Sequence, residues 1–93
     1  MQHPITIRGT LNFIGKFERI ERDNNIDIVK KIISIITPDN QKLFLELRYK
    51  LTKILKIKEI GVGDPVEIEF IFQGSEKNGK RYNNLYVKTI KKL

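Results

Sequence analysis

The sequence predicts an all-β domain in which five strands close into a small barrel, with one short helix between the third and fourth strands. Three observations carry that reading. Apolar and polar residues alternate at period two over most of the chain, as they do in half-buried strands. One stretch, residues 51–58, changes to helical spacing. Turn-forming clusters, among them Pro38-Asp39-Asn40 and Asn78-Gly79, separate the alternating segments at short intervals. At 93 residues the chain has room for one domain, expected to span 1–93.

The first strand covers residues 5–13, and Gly9 within it marks a bulge or a sharp bend. Such a bend suits a strand that must curl to serve both halves of a barrel. Glu21-Arg22-Asp23-Asn24-Asn25 reads as a polar turn. The second strand, residues 28–37, contains Ile32-Ile33-Ser34-Ile35-Ile36, apolar on both faces, so something must cover each side. In the third strand Leu43, Leu45, Leu47 and Tyr49 point one way, and Lys42, Phe44, Glu46, Arg48 and Lys50 the other.

Leu51, Ile54, Leu55 and Lys58 then recur at helical spacing, which predicts about two turns of helix. Leu51, Ile54 and Leu55 should plug one end of the barrel, leaving Lys53, Lys56 and Lys58 in solvent. The segment Ile60-Gly61-Val62-Gly63-Asp64-Pro65 leads into a fourth strand with Val66, Ile68, Phe70 and Phe72 inward and Glu67, Glu69 and Gln73 outward. Phe13, Phe70 and Phe72 are expected in the core. Residues 74–80 read as a hairpin loop with Asn78-Gly79 at its tip, and the last strand as 81–90. Three strands, a helix and two strands is the order of the five-stranded oligonucleotide/oligosaccharide-binding (OB) Greek-key barrel. The alternative is an α+β sheet carrying a surface helix.

Composition narrows the function. The chain has no cysteine, which removes disulfides, thiolate metal sites and cysteine nucleophiles. No uncharged run exceeds the length of residues 32–38, far short of a membrane span, and no signal peptide is evident; a cytoplasmic protein is expected. His3 is the only histidine and lacks a catalytic partner, Asp64 suits a turn, and no phosphate-cradling glycine loop is present. The expectation is a non-enzyme without cofactor or metal.

The net charge of +7 says little by itself, because thirteen lysines against five arginines, with sixteen isoleucines and no alanine, match the codon bias of an AT-rich genome. Its distribution says more. Residues 1–41 carry +1, 42–58 carry +5, 59–76 carry −5 and 77–93 carry +6. Segregated positive charge is the footprint of a polyanion site.

Several marks together resemble a known family. They are Ile7-Arg8-Gly9-Thr10, Lys30-Lys31, Leu45-Glu46, Gly63-Asp64-Pro65-Val66, and Asn78-Gly79-Lys80-Arg81-Tyr82 with Leu85. In that order, over nearly the whole chain, they resemble the small single-stranded-DNA-binding-like OB proteins of Bacteroidetes and their phages. A protein of that kind is expected to serve replication or recombination, in a bacterial host or in a phage or mobile element. The resemblance is incomplete: family members carry tryptophans where this chain has Arg48 and Arg81, which trades stacking for phosphate contact. The last residues are Lys91-Lys92-Leu93, so the acidic partner-recruiting tail of bacterial single-stranded-DNA-binding proteins is not expected.

An OB barrel binds single strands with cations that follow the backbone and flat side chains on which bases stack, commonly on strands two and three and the adjoining loops. The candidates here are Lys30, Lys42, Phe44, Arg48 and Lys50 on those strands, and Lys77, Lys80, Arg81 and Tyr82 in the closing hairpin. Tyr86 and Lys88 on the last strand are weaker candidates. The expected ligand is single-stranded DNA, with RNA, or a protein partner or homodimer on the same face, as alternatives.

Overall fold

Strand β1 (Ile5–Ile14) of the computed structural model has two partners in succession. The structure describes residues 3–20 and 28–93, and for Ile20, Ser75, Lys77 and Tyr82 the backbone alone; the turn expected at 21–25 lies outside it. From Ile5 to Thr10, β1 pairs with β5 (Pro65–Lys77), and from Thr10 to Ile14 with β3 (Ile28–Ile36). Gly9 lies at the handover, where a Cβ would stand 2.6 Å from the Ile36 carbonyl oxygen. The glycine therefore serves a close backbone approach. The register shift itself falls later, between Leu11 and Phe13. An extra residue reverses the alternation, so Leu11 is fully buried while Phe13 is 46% exposed. The expectation that Phe13 is core is thereby corrected.

The remaining pairings close the ring. β3 pairs with β4 (Lys42–Arg48), β4 meets β6 (Lys80–Lys92) in a parallel contact at Glu46 and Tyr86, and β6 pairs with β5, which returns to β1. Its interior holds Leu11, Ile33, Ile35, Leu45, Leu47, Val66, Ile68 and Ile90, each at most 1% exposed. The five-strand ring is as the sequence predicts. The sequence did not predict a further short strand, β2 (Glu18–Ile20), which pairs with β3 through Glu18 and Lys30. Three residues are too few to show a period.

Between β4 and β5 the predicted helix is a 3-10 turn (Tyr49–Lys53) running into α1 (Ile54–Ile57). Leu55 is buried against the core, with Leu51 and Ile54 partly buried beside it. Tyr49 has φ of 53°, a left-handed backbone that breaks the strand alternation. Its ring is 50% exposed instead of facing inward.

The predicted hairpin loop at 74–80 is largely strand. The β5–β6 ladder continues to Lys77 opposite Lys80, leaving a two-residue turn at Asn78 and Gly79 with φ of 52° and 76°. Two positive φ values match the twist of the flanking strands, and Asn-Gly is the sequence that adopts them readily. The paired strands consequently run past the core as an arm. Phe72 has inward parity but sits on this arm, 54% exposed, with its ring 5.5 Å from Phe70 in an edge contact. Phe70 is core as expected; Phe72 is not.

Two carboxylates fasten the start of β5. The Asp64 carboxylate accepts the Gly61 N–H at 2.8 Å and lies 3.4 Å from Lys92 Nζ; the Gly61 bond, helped by Lys92, holds its pKa below the ordinary value. Glu67 meets Lys91 at 2.9 Å and Arg8 at 3.0 Å. Those hydrogen bonds, that of Lys91 first, lower its pKa likewise.

Candidate nucleic-acid interface

β3 and β4 run antiparallel in continuous register, so residues directly opposite share a face. Ile33 with Leu45 and Ile35 with Leu43 turn into the barrel. The outer face carries Lys30 opposite Arg48, Ile32 opposite Glu46, Ser34 opposite Phe44 and Ile36 opposite Lys42. β1 extends the Ser34 row with Phe13, its partner across the other edge. Phe13 and Phe44, 46% and 58% exposed, thus stand on either side of a serine that is fully buried. The Ser34 hydroxyl accepts a hydrogen bond from Asn12 Nδ2 at 3.3 Å. An apolar strand is thus covered on both faces: the barrel core covers one, and neighbouring side chains partly cover the other.

Glu46 organises the centre of this face. Its side chain is 8% exposed, with Oε1 lying 3.4 Å from Lys30 Nζ and Oε2 accepting from Arg48 Nε at 3.1 Å. Arg48 also lies over the Tyr86 ring, 4.2 Å from its centroid, a cation–π contact. The carboxylate and the ring thus hold the guanidinium in place and leave Arg48 half-buried. Beside it is a groove of about 180 Å³ between the β3–β4 pair and the base of the arm, lined by Lys30, Ile32, Phe44, Glu46, Asn83, Asn84 and Leu85.

The fold gathers part of the predicted set. Lys30, Phe44, Arg48 and Tyr86 share the outer face, and exposed Lys42 ends the same strand. Lys80 and Arg81 are exposed at the arm tip, and Lys88 is exposed at the register shift of β6, with no partner on β5 in the ladder. Lys77 and Tyr82 are on the arm by backbone; their side chains lie outside the described residues. Lys50 is elsewhere: it belongs to the 3-10 turn and lines a hollow with Phe17, Val29, Tyr49 and Ile57. The strand ends at Arg48 because Tyr49 turns left-handed, so the alternation does not reach Lys50.

Residues that sequence reasoning missed are Phe13, Asn83, Asn84 and the central Glu46. For Glu46 the signal was present: it is the single acid within 42–58 and shares its strand face with Phe44 and Arg48. Among the described residues no group of three or more His, Asp or Glu side chains is placed to hold a metal, and no helix is long and apolar enough to cross a membrane.

A closed five-strand ring with a helix between its third and fourth members defines an OB-fold protein. The solved structures it resembles are of that class. Mitochondrial single-stranded DNA binding protein Rim1 of S. cerevisiae superposes with a TM-score of 0.64 at 17% identity, covering 100% of this chain and 97% of that one. The small single-stranded DNA-binding protein of Streptomyces coelicolor gives 0.54 at 13% identity, covering 99% and 94%. The dimeric N-terminal domain of PriB from Thermoanaerobacter tencongensis gives 0.52 at 15%, covering 97% and 94%. No protein-family model and no curated protein sequence matches the chain. The expected likeness to single-stranded-DNA-binding proteins therefore holds for the fold.

Proposed function

We propose that this protein binds single-stranded DNA, without catalysis, on the outer face of β3 and β4 and along the β5–β6 arm. One observation carries the reading: Phe44 stands 58% exposed on a strand face that also holds Lys42, Arg48 and Lys30, with Phe13 and Tyr86 on the adjoining strands. Exposed rings among cations are what a single strand needs, since every base has a stacking face and every nucleotide a charge. The similarity in fold to Rim1 and to the Streptomyces protein, both single-stranded DNA binding proteins, supports the same ligand.

The roles divide by environment. Phe44 and Phe13 accept bases. Arg48 is partly neutralised by Glu46, so it acts mainly as a flat surface over Tyr86. Backbone charge is met by Lys42, by Lys80 and Arg81 at the arm tip, and by Lys88 at the register shift of β6. Stacking and phosphate contact are tolerant of sequence, so most positions along the strand carry little preference. Work of this kind belongs to replication or recombination, where single strands are exposed.

Titrating a fluorescent oligo-dT at increasing salt tests the proposal, because each phosphate neutralised on a single strand contributes a slope of about −0.7 in log K against log salt. A slope of about −2 or steeper is expected. Binding indifferent to salt, or stronger for duplex or RNA than for oligo-dT, would overturn the reading.

A further inference from the structure

An acid at the centre of a polyanion site opposes its ligand, and Glu46 lies nearly buried at the floor of such a face. We propose that Glu46 and Lys30, in the groove between β4 and the base of the arm, read one nucleobase of the bound strand, and that this base is guanine. The inference rests on the single-stranded DNA reading above.

The groove is lined by both apolar and polar side chains. Phe44, Ile32 and Leu85 are the apolar ones, and Glu46, Lys30, Asn83 and Asn84 the polar ones. Each Glu46 oxygen faces one protein cation, Oε1 that of Lys30 at 3.4 Å and Oε2 that of Arg48 at 3.1 Å. A carboxylate offers about four acceptor positions, so each oxygen retains one. Two acceptors side by side call for two donors side by side.

Among the four DNA bases only guanine presents them. Its N1–H and N2–H lie adjacent on the Watson–Crick edge, with the O6 acceptor next to N1. Set with N1 against Oε1 and N2 against Oε2, guanine brings O6 to the side where the Lys30 ammonium stands. The other bases leave a mismatch. Adenine and cytosine offer one amino group beside an acceptor nitrogen, and thymine one N–H between two carbonyls, so each directs a lone pair at a carboxylate oxygen. An acceptor left unmatched when the base covers the groove is costly, so the carboxylate that weakens phosphate binding confers selectivity. Arg48, fixed by Glu46 and Tyr86, acts as a positioning residue that holds the carboxylate plane.

Fluorescence anisotropy with the full chain and oligo-dT carrying one central substitution tests this. A single dG is expected to tighten binding about tenfold over all-dT, the scale of one good bidentate base contact. Deoxyinosine, which lacks only the N2 amine, should lose most of that gain, while 7-deaza-dG, altered away from the edge in question, should keep it. Glu46→Gln should bind dG-bearing and all-dT strands alike. Because the inosine comparison leaves the protein unaltered, a poorly folded variant does not decide the outcome. Equal binding of dG, dI and dT strands by a protein that still binds oligo-dT with steep salt dependence would remove the base pocket and leave the single-strand reading standing. A dG preference that survives Glu46→Gln would equally overturn it. Failure to bind any single strand would remove both.

Discussion

The two faces of the β3–β4 pair come from one alternating pattern and serve opposite ends. Facing in, Ile33, Ile35, Leu45 and Leu47 are aliphatic and at most 1% exposed. Facing out, the same strands offer three cations, an aromatic and a carboxylate; ion pairs join Glu46 to Lys30 and Arg48, and a cation–π contact joins Arg48 to Tyr86 of β6. Burial of uniform apolar surface gives stability without direction, whereas the outer groups are specific in geometry and weak in energy. Ion pairs as shielded as those of Glu46 add little net stability, because the cost of desolvating the charges offsets their attraction. The barrel is therefore held by one face and is free to use the other for a ligand.

The contrast can be broken hardest from inside. Leu47→Ala should cost about 2–5 kcal/mol in a denaturant melt, through lost burial and a cavity that rigid neighbours cannot fill. A cost below about 1 kcal/mol would place Leu47 outside the core.

A smaller effect comes from a third region, the start of β5. Asp64 and Glu67 have pKa values lowered from their ordinary 3.8 and 4.5. As pH falls through that range the unfolded chain takes up protons before the folded one does, so their contribution is full above the ordinary values and is lost below them. The melting temperature should decline from about pH 5 downward, and Glu67→Gln should flatten the decline. A melting temperature flat from pH 5 to pH 3 contradicts the role given to these pairs.

How much of this was legible depended on whether the alternation stayed unbroken. In β4 it did, and the sequence placed Phe44 and Arg48 on one outer face and Leu45 and Leu47 within. In β1 one extra residue near Asn12 reversed the alternation, and Phe13, read as core, became part of the outer face. Phe72 kept its parity, but parity says only which side a residue takes; the arm has left the barrel there, and no core lies beneath it. Glu46 was visible as an isolated acid in a basic segment. What the sequence could not show was Tyr86 arriving from a strand forty residues later to hold Arg48, because a parallel contact between distant strands leaves no local pattern.

Everything proposed for the outer face requires it to be a binding surface and not a structural one. Phe44→Ala, assayed for oligo-dT affinity and thermal unfolding on the same preparation, separates the two most directly. The prediction is a loss of about 1–3 kcal/mol in binding, the scale of one stacked base, with the melting temperature nearly unchanged. Undiminished affinity would show that the single strand lies elsewhere, and a large fall in melting temperature would show that Phe44 belongs to the fold.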